Sequence, residues 1–329
     1  MTRNVIIFVE HKAGHTRKVT FELATEARAL ADQIGGRALA VALGNGASTV
    51  AQALGKYPLD EIHISEDPDV DRFLLDPTVD YLEAVARSAG PSIVLVGNTM
   101  MGRDVAGRIA ARLQAGLTSD VTGIRVEGAR VECIAPKLGG NTITTCAFKE
   151  APYGVVTIRP NAFAAASLET GAQVVQIAKP AGKSYALTIE AEVEEASDEM
   201  GLEEAPVVIA GGRGLGGPEP FDTLLKPLAQ ALGGTVGASR AAADAGWVPY
   251  SLQIGQTGKV VSPQLYLCAG ISGAIQHKVG MQTAGTIVAI NKDGSVPIGE
   301  FADLLVVGDA FKILPELTQL VQESKAAHA

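Results

Sequence analysis

The sequence predicts an α/β protein in two domains, residues 1–200 and residues 201–329. The first reads as a mainly parallel βαβ sheet with an antiparallel extension, the second as a doubly wound parallel sheet. Three observations predict this. Short apolar runs alternate with helical patterns of about ten residues or more, which is how βαβ units appear in sequence. The composition is 47% hydrophobic but only 5% aromatic, with the surplus in Ala, Val, Leu, Ile and Gly; that mix suits branched parallel strands covered by Ala-rich helices. Finally, Thr188–Glu204 carries Glu190, Glu192, Glu194, Glu195, Asp198, Glu199, Glu203 and Glu204 with few apolar residues. Such a charge run is a solvated connector, so the boundary is expected near residue 200.

In the first domain, Val5–Val9 is an all-apolar strand. Lys18–Ile34 follows as a helix, with Phe21, Leu23, Ala24, Ala27, Leu30, Ala31 and Ile34 near helical spacing and Gly35-Gly36 to end it. Strands are expected at Ala38–Leu43, Glu61–Ile64 and Pro91–Val96, and helices at Ser48–Leu54, Val79–Ser88 and Met101–Gln114. After about residue 120 the helices stop. Gly123–Ile134, Asn141–Phe148, Gly154–Ile158 and Ala172–Ile177 read as successive strands, the antiparallel extension. Gly97-Asn98-Thr99 before Gly102-Arg103-Asp104 lies at a strand-to-helix turn that can seat a phosphate, although the GK[ST] of a P-loop is missing.

In the second domain, apolar runs end repeatedly in small and polar residues. Val207–Ala210 leads into Gly211-Gly212-Arg213-Gly214-Leu215-Gly216-Gly217, and then a helix carries Phe221, Leu224, Leu225, Leu228 and Leu232. Thr235–Ala238 ends in Ser239-Arg240 and the alanine-rich helix start that follows. Ile254-Gly255-Gln256-Thr257-Gly258 is a tight polar turn. Leu265–Ala269 leads into Gly270-Ile271-Ser272-Gly273-Ala274-Ile275-Gln276-His277 at the mouth of another helix. Thr286–Ile290 ends at Asn291, Ala302–Val307 ends at Gly308-Asp309, and Leu314–Glu323 closes with a helix. In a parallel sheet, loops at the carboxyl ends of strands converge on a ligand.

Composition narrows the function. A formal charge of -9 argues against a nucleic-acid surface. Cys133, Cys146 and Cys268 are odd in number and widely spaced, which fits neither a disulfide framework nor a zinc site, and no metal site is expected. No apolar run approaches the 18 or so residues of a membrane span. The amino terminus MTRNVIIFVEH enters a strand at once, leaving no room for a targeting peptide, so a cytoplasmic setting is expected.

The residues leave the ligand open. Gly212-x-Gly214-x-x-Gly217 has the form of a dinucleotide fingerprint. The following strand ends in Arg240 and not in an acidic residue, which keeps an NADP-binding dehydrogenase module possible. Against it, the polar residues cluster downstream of this loop. Arg240 stands at the positive end of a helix, unfavourable for the helix and favourable for a bound anion. Asn291 and Asp309 suit either an adenylate or ordinary turns. A redox-silent nucleotide-binding scaffold is the third reading.

Taken together, GGRG at 211–214, VGASRAAADAGW at 236–247, GQTGK at 255–259, LYLCAGISGAIQH at 265–277, VAINKD at 288–293 and FADLLVVGD at 301–309 resemble the alpha subunit of electron transfer flavoprotein, the FixB-type family. GRDVAGRIAARLQAGLTSDVTG at 102–123, GGNTITT at 139–145 and TIRPNAF at 157–163 extend the resemblance over nearly the whole chain. The resemblance implies an electron carrier and not an enzyme. It implies a heterodimer with a beta subunit and one FAD held mainly by the C-terminal domain. Electrons would pass from flavin dehydrogenases, such as acyl-CoA dehydrogenases of fatty acid β-oxidation, to a quinone oxidoreductase or other acceptor, through a stabilised anionic semiquinone. It implies FAD contacts from Arg213, Ser239, Arg240, Ile254, Gly255, Gln256, Thr257, Ser272, Gly273, Ala274, Ile275, Gln276, His277, Asn291 and Asp309. In the family pattern the hydroxyl matching Thr257 lies near flavin N5. The groups matching Arg240 and His277 lie near the isoalloxazine ring, and those matching Asn291 and Asp309 hold the adenosine end. Gly216-Gly217-Pro218, Cys268-Ala269 and Ala310 depart from the family pattern, and none removes a polar contact.

Overall fold

A computed structural model describes residues 4–90, 92–128, 130–138, 142–148, 152–168, 171–191 and 201–328. The chain divides into two compact units, Met1–Glu194 and Glu195–Ala329. Most of the acidic connector, with the boundary expected near residue 200, lies in 192–200, outside the described residues.

In the first unit β1 (Asn4–Phe8) passes through a small hairpin, β2 (His11–Lys12) and β3 (His15–Thr16), into α1 (Lys18–Ile34). Then come β4 (Ala38–Leu43), α2 (Ala47–Leu54), β5 (Glu61–Ser65), the single turn α3 (Asp69–Arg72), α4 (Asp76–Ala89), β6 (Ser92–Gly97) and α5 (Met100–Leu113). The chain continues through β7 (Gly116–Val121), β8 (Gly123–Glu127), β9 (Arg130–Lys137), β10 (Thr142–Ala147), β11 (Tyr153–Ile158) and β12 (Gln173–Gln176). Seven strands form one sheet in the order β12-β5-β4-β1-β6-β11-β7, every neighbouring pair parallel. Apolar side chains of α1 and α2 fill one face and those of α4 and α5 the other. Burial on both faces is why β4 and β6 read as continuous apolar runs.

The antiparallel expectation needs correction. β8, β9 and β10 do form an antiparallel sheet, but a separate one, and the stretch read as one strand over 123–134 is a hairpin that turns at Gly128, whose φ is +60°. β11 and β12 belong to the parallel sheet, β11 inserting between β6 and β7 and β12 joining the edge beside β5. A parallel neighbour requires a long crossover, usually a helix. Between β7 and β11 the three-stranded sheet takes that place and buries Val131, Cys133 and Ala135 against the α1 face.

The strand-to-helix turn at 97–104 is packed by the chain itself. A Cβ on Gly102 would lie 1.9 Å from the Gly97 carbonyl oxygen. Thr99 Oγ1 caps α5 by accepting from the Gly102 amide at 2.9 Å, and it donates to the buried carboxylate of Glu10 at 2.5 Å. Arg17 pairs with the other oxygen of Glu10 at 2.6 Å. The anion at this helix start is thus a side chain of the protein.

The second unit opens with β13 (Val207–Gly211) and a short 3-10 turn over Arg213–Leu215. One π turn over Phe221–Leu225 precedes α6 (Lys226–Leu232). Then follow β14 (Thr235–Ser239), α7 (Arg240–Asp244), β15 (Gln253–Ile254), β16 (Leu265–Ala269), α8 (Ile275–Met281), β17 (Thr286–Asn291), β18 (Leu304–Val307) and α9 (Ala310–His328). Its six strands are all parallel, in the order β15-β14-β13-β16-β17-β18. Counted within the unit this is 3-2-1-4-5-6, the doubly wound order. Along β13 the side chains alternate: Ile209 enters the layer under α6 and α9, whereas Val208 and Ala210 enter the layer under α8. The order reverses between β13 and β16, and a crevice opens beyond their carboxyl ends for that reason. No helix among the described residues is long and apolar enough to cross a membrane.

Candidate functional site

A cavity of about 640 Å³ occupies that crevice. Four loops build it, each the continuation of a strand end. Arg213 and Gly214 follow β13; Ser239, Arg240, Ala241 and Asp244 follow β14; Gln253 to Thr257 span β15 and its turn; Gly270 to Ala274, with Gln276 and His277, follow β16. Twelve of the fifteen expected residues therefore line one cavity. Ile275 is exposed on the first turn of α8. Asn291 ends β17 and Asp309 stands two residues beyond β18, one and two strands farther out, and neither lines it. Their side chains close turns: Asn291 donates to the Ile271 carbonyl at 3.1 Å and accepts from the Asp293 amide at 3.1 Å, and Asp309 accepts from the Phe311 amide at 3.1 Å.

The floor is two glycine loops in backbone contact. A Cβ on Gly212 would stand 2.1 Å from the Gly270 oxygen, and one on Gly214 would stand 2.8 Å from Gly270 Cα. The Gly212 amide donates to Ala269 O at 2.9 Å and the Gly214 amide to Gly270 O at 3.0 Å. Gly217 meets nothing within 4 Å. In a dinucleotide fingerprint the third glycine lets helix and strand pack closely, and the helix begins at the loop. Here that glycine faces open space and the helix of the crossover begins only at Glu219, so the 212–217 pattern lacks the geometry that the NADP reading requires.

Gly273, at φ +82°, holds the wall after β16. A Cβ there would come within 2.6 Å of the Ile298 backbone, and the adjoining Ser272 carbonyl accepts from the Ile298 amide at 3.0 Å. The polar turn after β15 is tied across to α8, the Gln256 amide donating to Gln276 O at 2.8 Å.

The side chains give this cavity a definite polarity. Arg213 and Arg240 carry two positive charges against one carboxylate, Asp244, in a chain of net charge -9; such a local reversal favours an anionic ligand. Arg240 is 64% exposed and reaches Asp244 at 3.3 Å, one helical turn on. That partner answers the mismatch expected for an Arg opening a helix. Gln253 Nε2 donates to Thr257 Oγ1 at 3.1 Å, so the Thr257 hydroxyl proton is left for another acceptor. Ser239 occupies the N-cap position of α7 without capping it, and its hydroxyl oxygen is buried with no partner. His277, 7% exposed, shares a 2.7 Å hydrogen bond with Tyr266 through Nε2, while its Nδ1 is buried and unpartnered. Burial lowers the imidazole pKa to about 4, so His277 is neutral at pH 7 and the positive charge of the cavity rests with Arg213 and Arg240.

Sequence reasoning did not single out Asp244, Gln253 or Tyr266. Asp244 carried a signal, its i+4 spacing from Arg240. Gln253 acts on Thr257 within its own turn and Tyr266 acts from β16 on His277 of α8, and nothing in their local sequence marks either role.

Residues 5–209 match the model of the electron transfer flavoprotein domain, and residues 201–282 match that of the electron transfer flavoprotein FAD-binding domain. The chain is 43% identical to the electron transfer flavoprotein subunit alpha of Mycobacterium tuberculosis over 322 residues, covering 98% of this chain and 99% of that one. It is 38% identical to the subunit of the same name from Thermoanaerobacterium thermosaccharolyticum, over 98% of this chain and 99% of the relative. It is also 38% identical to protein FixB of Clostridium saccharobutylicum, over 98% and 97%. The chain belongs to the electron transfer flavoprotein alpha-subunit family, and its C-terminal unit carries that family's FAD-binding domain.

Proposed function

We propose that this chain is the alpha subunit of a heterodimeric electron carrier, that residues 201–329 form its FAD-binding domain, and that the cavity between β13 and β16 holds the isoalloxazine end of FAD. The observation that carries the reading is a pair of buried polar atoms, Ser239 Oγ and His277 Nδ1, left without partners in the cavity wall. Buried polar atoms are ordinarily satisfied, so two orphans in one crevice ask for a ligand. The volume supports it, since cofactor sites span roughly 300–1,000 Å³. The excess of guanidinium over carboxylate supports an anionic ligand.

Flavin, when bound, supplies reversible one- and two-electron transfer. The chain supplies position and field. The Arg240 guanidinium provides a fixed positive charge. The Thr257 hydroxyl, oriented by Gln253, offers a proton to an aromatic nitrogen. His277 offers a neutral N–H. Each such donor is worth roughly 2–4 kcal/mol when aimed at developing negative charge in a dry site. The assignment of Asn291 and Asp309 to the adenosine end draws its support from the family pattern.

The remaining parts of the proposal are a beta subunit as partner, flavin dehydrogenases such as acyl-CoA dehydrogenases as donors, and a quinone oxidoreductase or another acceptor downstream. A reducing cytoplasm agrees with three free thiols. Co-expression with the beta subunit tests the whole. The expected product is a yellow two-chain complex with one FAD in this chain, reducible by dithionite. A colourless chain that binds NADPH and needs no partner would overturn the proposal.

A further inference from the structure

Tyr266 is wholly buried in β16, in the apolar layer that also holds Val261, Ile271 and Met281. A phenol in such a place needs a partner, because burying a hydroxyl without one is costly. Its partner is His277 Nε2 at 2.7 Å. Burial pushes ionisation of the phenol well above its usual range and holds the imidazole pKa at about 4. At neutral pH the pair is therefore an uncharged phenol and an uncharged imidazole with one ring proton.

Two arrangements satisfy that count. If Nε2–H donates to the phenol oxygen, the phenol proton is left without an acceptor in an apolar layer, and Nδ1 becomes a bare lone pair. If the phenol donates to Nε2, both groups on that side are satisfied and the ring proton resides on Nδ1. A neighbouring carbonyl separates the two. The Ile254 carbonyl acts on the ring to raise its basicity, as it does for an N–H facing it, yet no hydrogen bond to Nδ1 is completed. A lone pair on Nδ1 would be repelled there. Ile254 and His277 both line the cavity.

We propose that Tyr266 is a positioning residue that fixes His277 as the Nδ1–H tautomer, leaving the one ring donor on the side of Ile254 and the cavity, for a carbonyl or anionic ring nitrogen of a planar heterocycle. That the heterocycle is flavin rests on the function proposed above; the tautomer does not.

Nitrogen-15 histidine labelling of the full chain tests it, by long-range proton–nitrogen correlation at pH 7. The protein has five histidines, and comparison with His277→Gln assigns the wanted ring. The expected wild-type spectrum has a protonated Nδ1 and a bare Nε2, with Nδ1–H shifting on addition of FAD. Tyr266→Phe removes only the hydroxyl. It is expected to give mixed tautomers and to weaken FAD binding by roughly 3- to 10-fold, the loss of one oriented hydrogen bond. A wild-type ring protonated at Nε2 overturns the proposal, as does Tyr266→Phe with an unchanged tautomer. If Tyr266→Phe fails to fold, the wild-type spectrum still decides. If FAD binds neither protein and shifts nothing, the flavin reading falls while the tautomer has been measured independently.

Discussion

Substituting Gly212 by alanine tests the idea that the cavity is built on backbone contact between the loops after β13 and β16. The new methyl would lie 2.1 Å from Gly270 O, 2.6 Å from Gly270 C and 2.7 Å from Ile271 Cγ1. Ordinary contact begins near 3.4 Å, so the loops must part by about 1.3 Å, the difference between 3.4 and 2.1. Neither near atom of Gly270 is a flexible side-chain end that can swing away. The parting strains the bonds from the Gly212 and Gly214 amides, now 2.9 and 3.0 Å long, each worth about 1 kcal/mol. Overpacking adds roughly 1–3 kcal/mol. The expected loss is about 3–5 kcal/mol, a large share of the roughly 5–15 kcal/mol that holds a domain. Gly217→Ala is the matched control, because its Cβ meets nothing, and it should stay within about 0.5 kcal/mol of wild type. Urea unfolding followed by tryptophan fluorescence reads the right unit, since the single tryptophan, Trp247, packs into its core. Flavin retention after desalting reads the site. If Gly217→Ala proved as damaging as Gly212→Ala, the 212–217 loop would be working as a dinucleotide fingerprint and the geometric argument would fail.

Two further predictions concern charge. Arg240→Ala should leave the fold intact, because the side chain is 64% exposed and its ion pair with Asp244 is of the kind worth about 0–1 kcal/mol. It should nevertheless lower the amount of flavin trapped with a single extra electron during dithionite titration, by roughly 2–4 kcal/mol of electrostatic support; unchanged accumulation would refute the assigned role. His277 makes the cofactor-free chain acid-sensitive. Its pKa falls from 6.5 unfolded to about 4 folded, so the unfolded chain binds the proton first. Stability is then complete above about pH 6.5 and lost as the pH drops through 4, by about 3 kcal/mol in all. Denaturation midpoints for wild type and His277→Gln should converge over that window, and parallel curves would contradict the burial argument.

Where local pattern reports burial, the sequence was a sound guide. Lys18–Ile34 forms a helix with the expected ends because its apolar residues keep helical spacing and Gly35, at φ +70°, stops it. Ala38–Leu43 and Leu265–Ala269 also have the expected bounds, since strands buried on both faces leave no polar interruption. Gly116–Val121 escaped notice because it is an exposed edge strand, GLTSDV, without alternation. The short helix Asp69–Arg72 buries no residue and so leaves no apolar trace.

The chain alone determined the two α/β halves, the family, and the loops that would carry polar groups, because strand ends, glycines and charges are written locally. Only the tertiary structure decided which loops meet. The 3-2-1-4-5-6 order places β13 beside β16, so their loops share one crevice, while Asn291 and Asp309 stand at or just beyond the ends of strands farther along the sheet. It also decided the chemistry of His277, whose neutrality depends on burial beside Tyr266, eleven residues away in sequence and 2.7 Å away in space.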